Sequence, residues 1–408
     1  MNLRWFLSSD IRHLGEMRKQ VRKLLNSQRD ILSPPAVDAM EGALLESKVA
    51  MAGGATTEEL KKQMDNLEAV ATKWLKPYPN AGIRENIEVL LVALAVAMGI
   101  RTFFLQPFKI PTGSMQPTLF GITPSPDGRS HNDPNLVIPG TVARFFDYWI
   151  HGNSYYNLVA PENGELQAVK PPVKLLLFNL KEDYEFNGHW HTVWFPADDL
   201  FKRAGYNVDS YGQVIDPPHL KAGDPIARIK VLAGDHLFVD RISYNFRHPT
   251  RGEIIVFETD GIEHMAASQY GQFYIKRLVG LSNEKVQVGN DRHLIIDGKR
   301  LDAGTPHFEN VYSFKPGDPP ADSHYSGHLN QYSASQYGID RERGNVAPYF
   351  PDETTVYQIP TNHLMVMGDN TVSSYDSRCW GDFSCTNVVG KYFFVYWPIT
   401  SRFGWGLR

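Results

Sequence analysis

Apolar residues recur at helical spacing near the start of the chain. Leu14, Met17, Val21, Leu24 and Leu25 share one face, with Arg18, Lys19, Arg22 and Lys23 set between them. Ser33-Pro34-Pro35 breaks this helix. A second helical stretch runs to about Ala52 and ends at Gly53-Gly54. A third is predicted from Thr56, where Glu59 stands at capping-box spacing. Residues 1–82 therefore read as a small helical region. It is either a solvated hairpin or a basic amphipathic surface lying on anionic lipid. The acids beyond Asp30 dilute the basic residues and favour the first reading.

Ile83 to Phe108 holds the membrane-span candidate. Its charge-free part, Val89–Ile100, has 12 residues, a length that alone suits a buried helix. Extension across Arg101 to Leu105 reaches a spanning length if the Arg101 head group snorkels to the interface. Lys73, Lys76 and Arg84 precede the run, and Arg101 and Lys109 follow it, so charge orients it only weakly. Met1 to Asp30 has no apolar run and carries seven Lys/Arg against three acids, so no signal peptide is expected there.

From Ile110 onward the pattern turns to short strands: Ile226–Leu232, Leu237–Ile242, Glu253–Phe257, Phe273–Val279, Leu364–Met367 and Val388–Trp397. Leu294 to Lys299 reads as a hairpin with an Asp297-Gly298 turn. Many short strands separated by turn signals predict antiparallel sheets in a barrel-like or sandwich body. With 27 Pro and 12% aromatic residues in 408, composition fits a loop-rich β protein. A net charge of −4 gives no nucleic-acid footprint. Cys379 and Cys385 are too few for a structural zinc site, and a disulfide or free thiols are equally open. His189-Trp190-His191 would put two imidazoles on one strand face, but with no third ligand an exposed aromatic hairpin is the better reading, and no metal is expected.

The chemistry concentrates in three segments. The first is Ile110-Pro111-Thr112-Gly113-Ser114-Met115-Gln116-Pro117-Thr118-Leu119, with a serine beside a glycine and a hydroxyl two residues upstream. Serine needs a base and an oxyanion site to act as a nucleophile. The second is Tyr274-Ile275-Lys276-Arg277-Leu278, a lysine among apolar and aromatic strand neighbours. At its ordinary pKa only about one lysine in 2,500 is neutral at pH 7, and burial can lower that pKa by several units. Arg277 cannot replace it, because guanidinium stays protonated. The third is Met367-Gly368-Asp369-Asn370 followed by Ser374-Tyr375-Asp376-Ser377-Arg378, in which Asp369 and Asn370 read as turn residues.

In this order the three segments closely resemble the motifs of bacterial type I signal peptidases, membrane-anchored Ser/Lys proteases that remove signal peptides from exported proteins. The resemblance covers roughly residues 84–120, 224–300 and 363–398. It implies Ser114 as nucleophile and Lys276 as general base, with the Ser114 N–H and the Thr112 hydroxyl as oxyanion hole; threonine stands here where many members carry serine. It further implies Ser374 as the group that orients the lysine, and Asp376 with Arg378 as a supporting ion pair. Ile110, Pro111, Met115, Leu119 and Ile275 would flank shallow pockets for the small side chains of Ala-X-Ala sites, while also packing as core. No cofactor is implied. The implied partners are precursor proteins and a lipid bilayer, with one span at 83–108, residues 1–82 inside, and a catalytic domain at 109–408 on the extracytoplasmic face.

Residues 121–223 and 301–362 fall outside the resemblance and read as insertions. Leu281 to Lys285 replaces the Pro-Gly-containing turn more usual after the lysine motif. Two rival readings stay open: a Ser/Lys protease with another task, such as self-cleaving repressors, and an inactive membrane-anchored β-rich binding protein. Residues 1–82 show no helix-turn-helix to support the repressor. A His-based serine protease lacks any pattern tying His131, His236, His264 or His363 to Ser114.

Overall fold

The computed structural model describes residues 8–76, 80–125, 133, 135–175, 178–313, 326–339 and 344–405. The chain divides into two compact units, Met1–Ala95 and Val96–Arg408.

In the first unit, helices α1 (Ser9–Gln28), α2 (Pro34–Ala52) and α3 (Thr57–Trp74) follow the apolar periodicity. Leu14, Val21, Leu25, Met40, Leu44, Leu60 and Leu67 close one core. Ser8 caps α1 by accepting the Ile11 N–H, and Pro34-Pro35 begin α2, where a missing N–H costs nothing. The capping box forms: Glu59 accepts the Thr56 N–H at 2.8 Å and Thr56 Oγ1 accepts the Glu59 N–H at 3.4 Å.

Helix α4 (Ala81–Phe103) carries Arg84, Glu85 and Glu88 near its start and is free of charge from Val89 to Ile100. None of its hydrophobic window within Gly82–Phe103 is buried. Twenty-two residues give about 33 Å, enough for a hydrocarbon core of about 30 Å. Left in water, that surface would cost about 25 cal/mol for each Å². The expected span of 83–108 is too long at its end. The helix stops at Phe103, and Leu105–Lys109 is a strand, β1. Pro107 cannot donate a helical hydrogen bond, and the segment finds strand partners instead, with Leu105 opposite Asp240 and Lys109 opposite His236.

The second unit is mainly β, and every pairing among its described residues is antiparallel. Its main sheet contains β1, β2 (His236–Asp240), β3 (Ile254–Glu258), β4 (Phe273–Gly280), β5 (His363–Met367), β6 (Phe383–Ser384) and β7 (Val388–Trp397), in the order β1-β2-β7-β3-β4-β5-β6. Among the described residues the two end strands do not pair with each other, and the sheet is a half-barrel. Ile110, Met115 and Leu119 pack with Leu237, Val239, Ile254, Val256 and Val395 on one side of it. Truncating such a buried leucine to alanine costs about 2–5 kcal/mol. The Asp297-Gly298 hairpin is present, both residues having positive φ (47° and 79°), as a type I′ turn requires.

The first insertion forms its own sheet from Leu166–Val169, Val173–Leu175, Phe178–Phe186 and His189–Trp194, over a core that includes Phe186, Leu200 and Phe201. In it His191 stacks on Tyr184 with ring centroids 5.4 Å apart. The second insertion contributes Phe308, Tyr312, Leu329 and Phe350 to a core shared with Val279, Val286 and Met365.

Candidate active site

Strand β4 lies inside the sheet, with Ile255 of β3 opposite Lys276 on one side and Met367 of β5 opposite Arg277 on the other. Both edges are therefore paired and the lysine backbone is fixed. The Ser114 segment is tied down separately. Ile110 N–H donates to Asp235 O at 2.9 Å, and Leu119 N–H donates to Met115 O at 2.9 Å. Gly121 passes so near Thr112 that a Cβ there would lie 2.2 Å from the Thr112 carbonyl.

The two constraints bring residues 162 positions apart into contact: Lys276 Nζ is 2.7 Å from Ser114 Oγ. The amine also donates to Ile275 O at 3.1 Å and lies 5.3 Å from the Tyr274 ring centre. Both members of the pair are buried, at 5% and 4% exposure. Burial pulls the Lys276 pKa down to about 8; Asp376 and Asp369 oppose the shift and Arg378 assists it. Among the described residues, no acceptor takes the Ser114 N–H, and the exposed Thr112 hydroxyl has no hydrogen-bond partner.

The third segment closes beneath the pair. Asn370 donates its N–H to Ser114 O and its Nδ2 to Gly113 O, each at 3.0 Å. Asp376 and Arg378 pair through two bonds of 2.9 Å, both fully buried. Burial pushes the Asp376 carboxyl up, but the Arg378 guanidinium, together with the Gly368 N–H and the Ser374 hydroxyl, holds the group below the usual carboxylate range. Arg378 also donates to Thr371 Oγ1 at 2.6 Å and to Leu329 O at 3.3 Å. The Ser374 hydroxyl is buried against the Asp376 carboxylate without a partner at hydrogen-bond geometry. The bonds of the lysine amine go to Ser114 and Ile275, not to Ser374.

One position differs from its sequence reading. Asp369 is more than a turn residue: fully buried, it holds Arg277 at 2.6 and 2.7 Å and accepts the Thr118 hydroxyl at 2.6 Å. Thr118, Thr371 and Gly368 were not singled out by the sequence. Thr118 and Gly368 lie inside the motif segments, which was the only hint that either carried. Of the five residues expected along a pocket, Ile110, Met115 and Leu119 are buried in the core, while Pro111 is exposed and Ile275 half-buried. Cys379 and Cys385 are both free thiols. The Cys379 thiol donates to Val346 O at 3.2 Å, and burial pushes its pKa up to about 11. The scattered histidines go elsewhere: His236 packs on Trp397, His264 on Tyr349, and His363 bonds Asp382. His131 lies outside the described residues.

Residues 83–122 and 227–397, more than half of the chain, match the family described as signal peptidase, peptidase S26. "Probable signal peptidase I-2" of Synechocystis sp. is 29% identical over 166 residues, covering 40% of this chain and 56% of that protein. "Signal peptidase I" of Leptolyngbya laminosa is 30% identical over 166 residues, covering 40% of this chain and 61% of that protein. "Signal peptidase I" of Bacillus caldolyticus is 26% identical, covering 41% and 71%. The chain thus spans less than two thirds of the length of the first two relatives. Among the described residues α4 is the one candidate span, and with the family it makes this a protein of the bacterial plasma membrane, with the β body on the extracytoplasmic face. The matched residues carry all three segments of the candidate site, and the chain belongs to the signal peptidase, peptidase S26 family.

Proposed function

We propose that this chain is a membrane-anchored serine endopeptidase that removes signal peptides from exported precursors after small residues, as at Ala-X-Ala sites. The observation that carries the reading is the 2.7 Å contact between Ser114 Oγ and a lysine amine whose pKa lies near 8. About one lysine in ten is then neutral at pH 7, against about one in 2,500 for a solvated lysine.

In this mechanism Ser114 Oγ attacks the scissile carbonyl carbon while neutral Lys276 takes the hydroxyl proton. The carbonyl oxygen becomes an oxyanion held by the Ser114 N–H and the Thr112 hydroxyl, both without partners among the described residues. Collapse breaks the C–N bond, and Lys276 passes its proton to the leaving amine. A water then loses a proton to Lys276 and attacks the acyl-serine. Collapse breaks the ester C–O bond, Lys276 returns the proton to Ser114 Oγ, and the released acid ionises to a carboxylate. Asp376 and Arg378 support the third segment behind the dyad, and Ser374 is assigned the role of orienting the amine. Pro111 and Ile275 offer apolar surface for a small substrate side chain.

The test is incubation of the purified, detergent-solubilised full chain with a precursor whose signal peptide ends in Ala-X-Ala, followed by N-terminal sequencing of the product. A new N-terminus directly after the second alanine is expected, and Ser114→Ala abolishes it. Equal cleavage by Ser114→Ala would overturn the assignment.

A further inference from the structure

Helix α5 (Thr141–His151), in the first insertion, turns its polar side toward the protein and its apolar side outward. Asp147 accepts Tyr155 OH at 2.7 Å and Asn153 Nδ2 at 3.1 Å, and meets His151 Nδ1 at 2.7 Å. Tyr148 packs on Trp397 with ring centres 5.9 Å apart, and the Trp397 indole N–H donates to Trp149 O at 2.8 Å. The opposite side holds Val142, Phe145, Phe146 and Trp149, which are 72, 59, 57 and 55% exposed. No residue of the helix is buried. A surface helix of a soluble domain normally does the reverse, so a contiguous patch of this kind marks a surface that something covers.

The place of the helix in the second unit identifies the cover. Phe104 follows the spanning helix directly: its N–H donates to Ile100 O at 2.9 Å, and its carbonyl accepts the Arg241 N–H at 3.1 Å. No linker intervenes before β1, whose five residues reach about 16 Å. At the far end of β1, Lys109 pairs with His236, and the His236 ring sits 4.8 Å from that of Trp397, the residue that holds α5. The helix that carries the apolar patch is thus held, through His236 and Trp397, at the end of the one strand that follows the span. Phe, Trp and Val on one side with Arg144 and His151 beside them is the composition of a helix lying in a bilayer interface.

We propose that α5 is an interfacial helix that lays Val142, Phe145, Phe146 and Trp149 into the headgroup–acyl boundary of the bilayer that α4 spans. The proposal rests on the membrane anchorage and is independent of the protease reading. It gives the β body a second attachment, through an insertion that the family match leaves out.

The test places photoreactive benzoylphenylalanine at Phe146 in the full chain, reconstituted in phosphatidylethanolamine–phosphatidylglycerol vesicles. The same label at Leu94 in the span and at Tyr332 in the second insertion provides the comparison. Lipid adducts are expected at Leu94 and Phe146, with several-fold less at Tyr332. An adduct at Leu94 but none at Phe146 overturns the proposal and leaves the anchorage standing. A protein–protein adduct at Phe146 assigns the patch to a second copy and also overturns it. Equal lipid yield at Tyr332 and Phe146 removes the distinction on which it rests, and no adduct at Leu94 defeats the anchorage itself.

Discussion

Asn370 donates its N–H to the carbonyl of Ser114 at 3.0 Å, so the third segment presses directly on the backbone of the proposed nucleophile. Gly368, two residues earlier, is what permits the approach. A Cβ there would lie 2.5 Å from Ser114 O and 2.2 Å from Ser374 Oγ. Distances under 3 Å to a fixed carbonyl cannot be relieved by a rotamer change.

Gly368→Ala is therefore expected to lose activity and stability together. Overpacking of this kind costs about 1–3 kcal/mol, read as a lowered Tm, and the serine shifts relative to the lysine. A variant with unchanged melting and unchanged kcat would show that the segments are not in close contact.

The pH dependence follows from Lys276. Its pKa falls from 10.5 to about 8 on burial, so the neutral base is scarce below pH 8 and abundant above it. In the free enzyme kcat/KM should rise about tenfold per pH unit below 8 and level off above. The same group acts on stability with a defined sign. Below about 8 the buried ammonium is charged in both folded and unfolded chains and weakens the fold. Between about 8 and 10.5 the unfolded chain binds the extra proton, so stability climbs with pH and the penalty is gone above that window. A kcat/KM profile that falls between pH 6 and 8 would contradict the assignment.

Ser114→Ala and Lys276→Ala should each abolish precursor cleavage, and the double variant should be no worse than either, because the two act as one unit. Lys276→Arg should be equally inactive, since guanidinium does not give up its proton. Single-turnover cleavage of one precursor by the four proteins checks this; appreciable activity in Lys276→Arg sinks the base assignment.

Thr112→Val keeps the side-chain shape and removes the donor. One lost oxyanion donor costs about 10²–10³ in turnover, whereas Thr112→Ser should keep much of the activity. Steady-state kcat for both variants decides it, and a valine variant within a few-fold of the unaltered chain makes Thr112 structural.

The strands were readable because alternation and β-branched or aromatic residues mark them locally; Val388–Trp397 has the predicted bounds, and Phe273–Gly280 differs from its prediction by one residue. The end of the span was not, since Phe103, Phe104, Leu105 and Phe108 are equally apolar in helix or strand, and only Pro107 signalled the change. Ser114, Lys276, Asp376 and Arg378 stood out through motif resemblance, and their contacts join segments far apart in sequence. The Arg277–Asp369 pair spans 92 positions and has no local signature, so Asp369 looked like a turn residue. The outward-facing α5 escaped notice because residues 121–223 match no pattern that says which face a helix buries.

Pro225–Leu232 is the middle strand of a three-stranded sheet, bordered by Thr123–Ser125 on one side and Asn153–Val159 on the other, and both neighbours come from the first insertion. A shortened chain lacking 121–223 would therefore not revert to a simpler body. It would bare both edges of one apolar strand, in which Ile226, Ala227, Ile229 and Val231 are now buried. Exposed edges of this kind recruit strands from other molecules. The foreseeable failure of such a truncation is insolubility, arising before any question of chemistry.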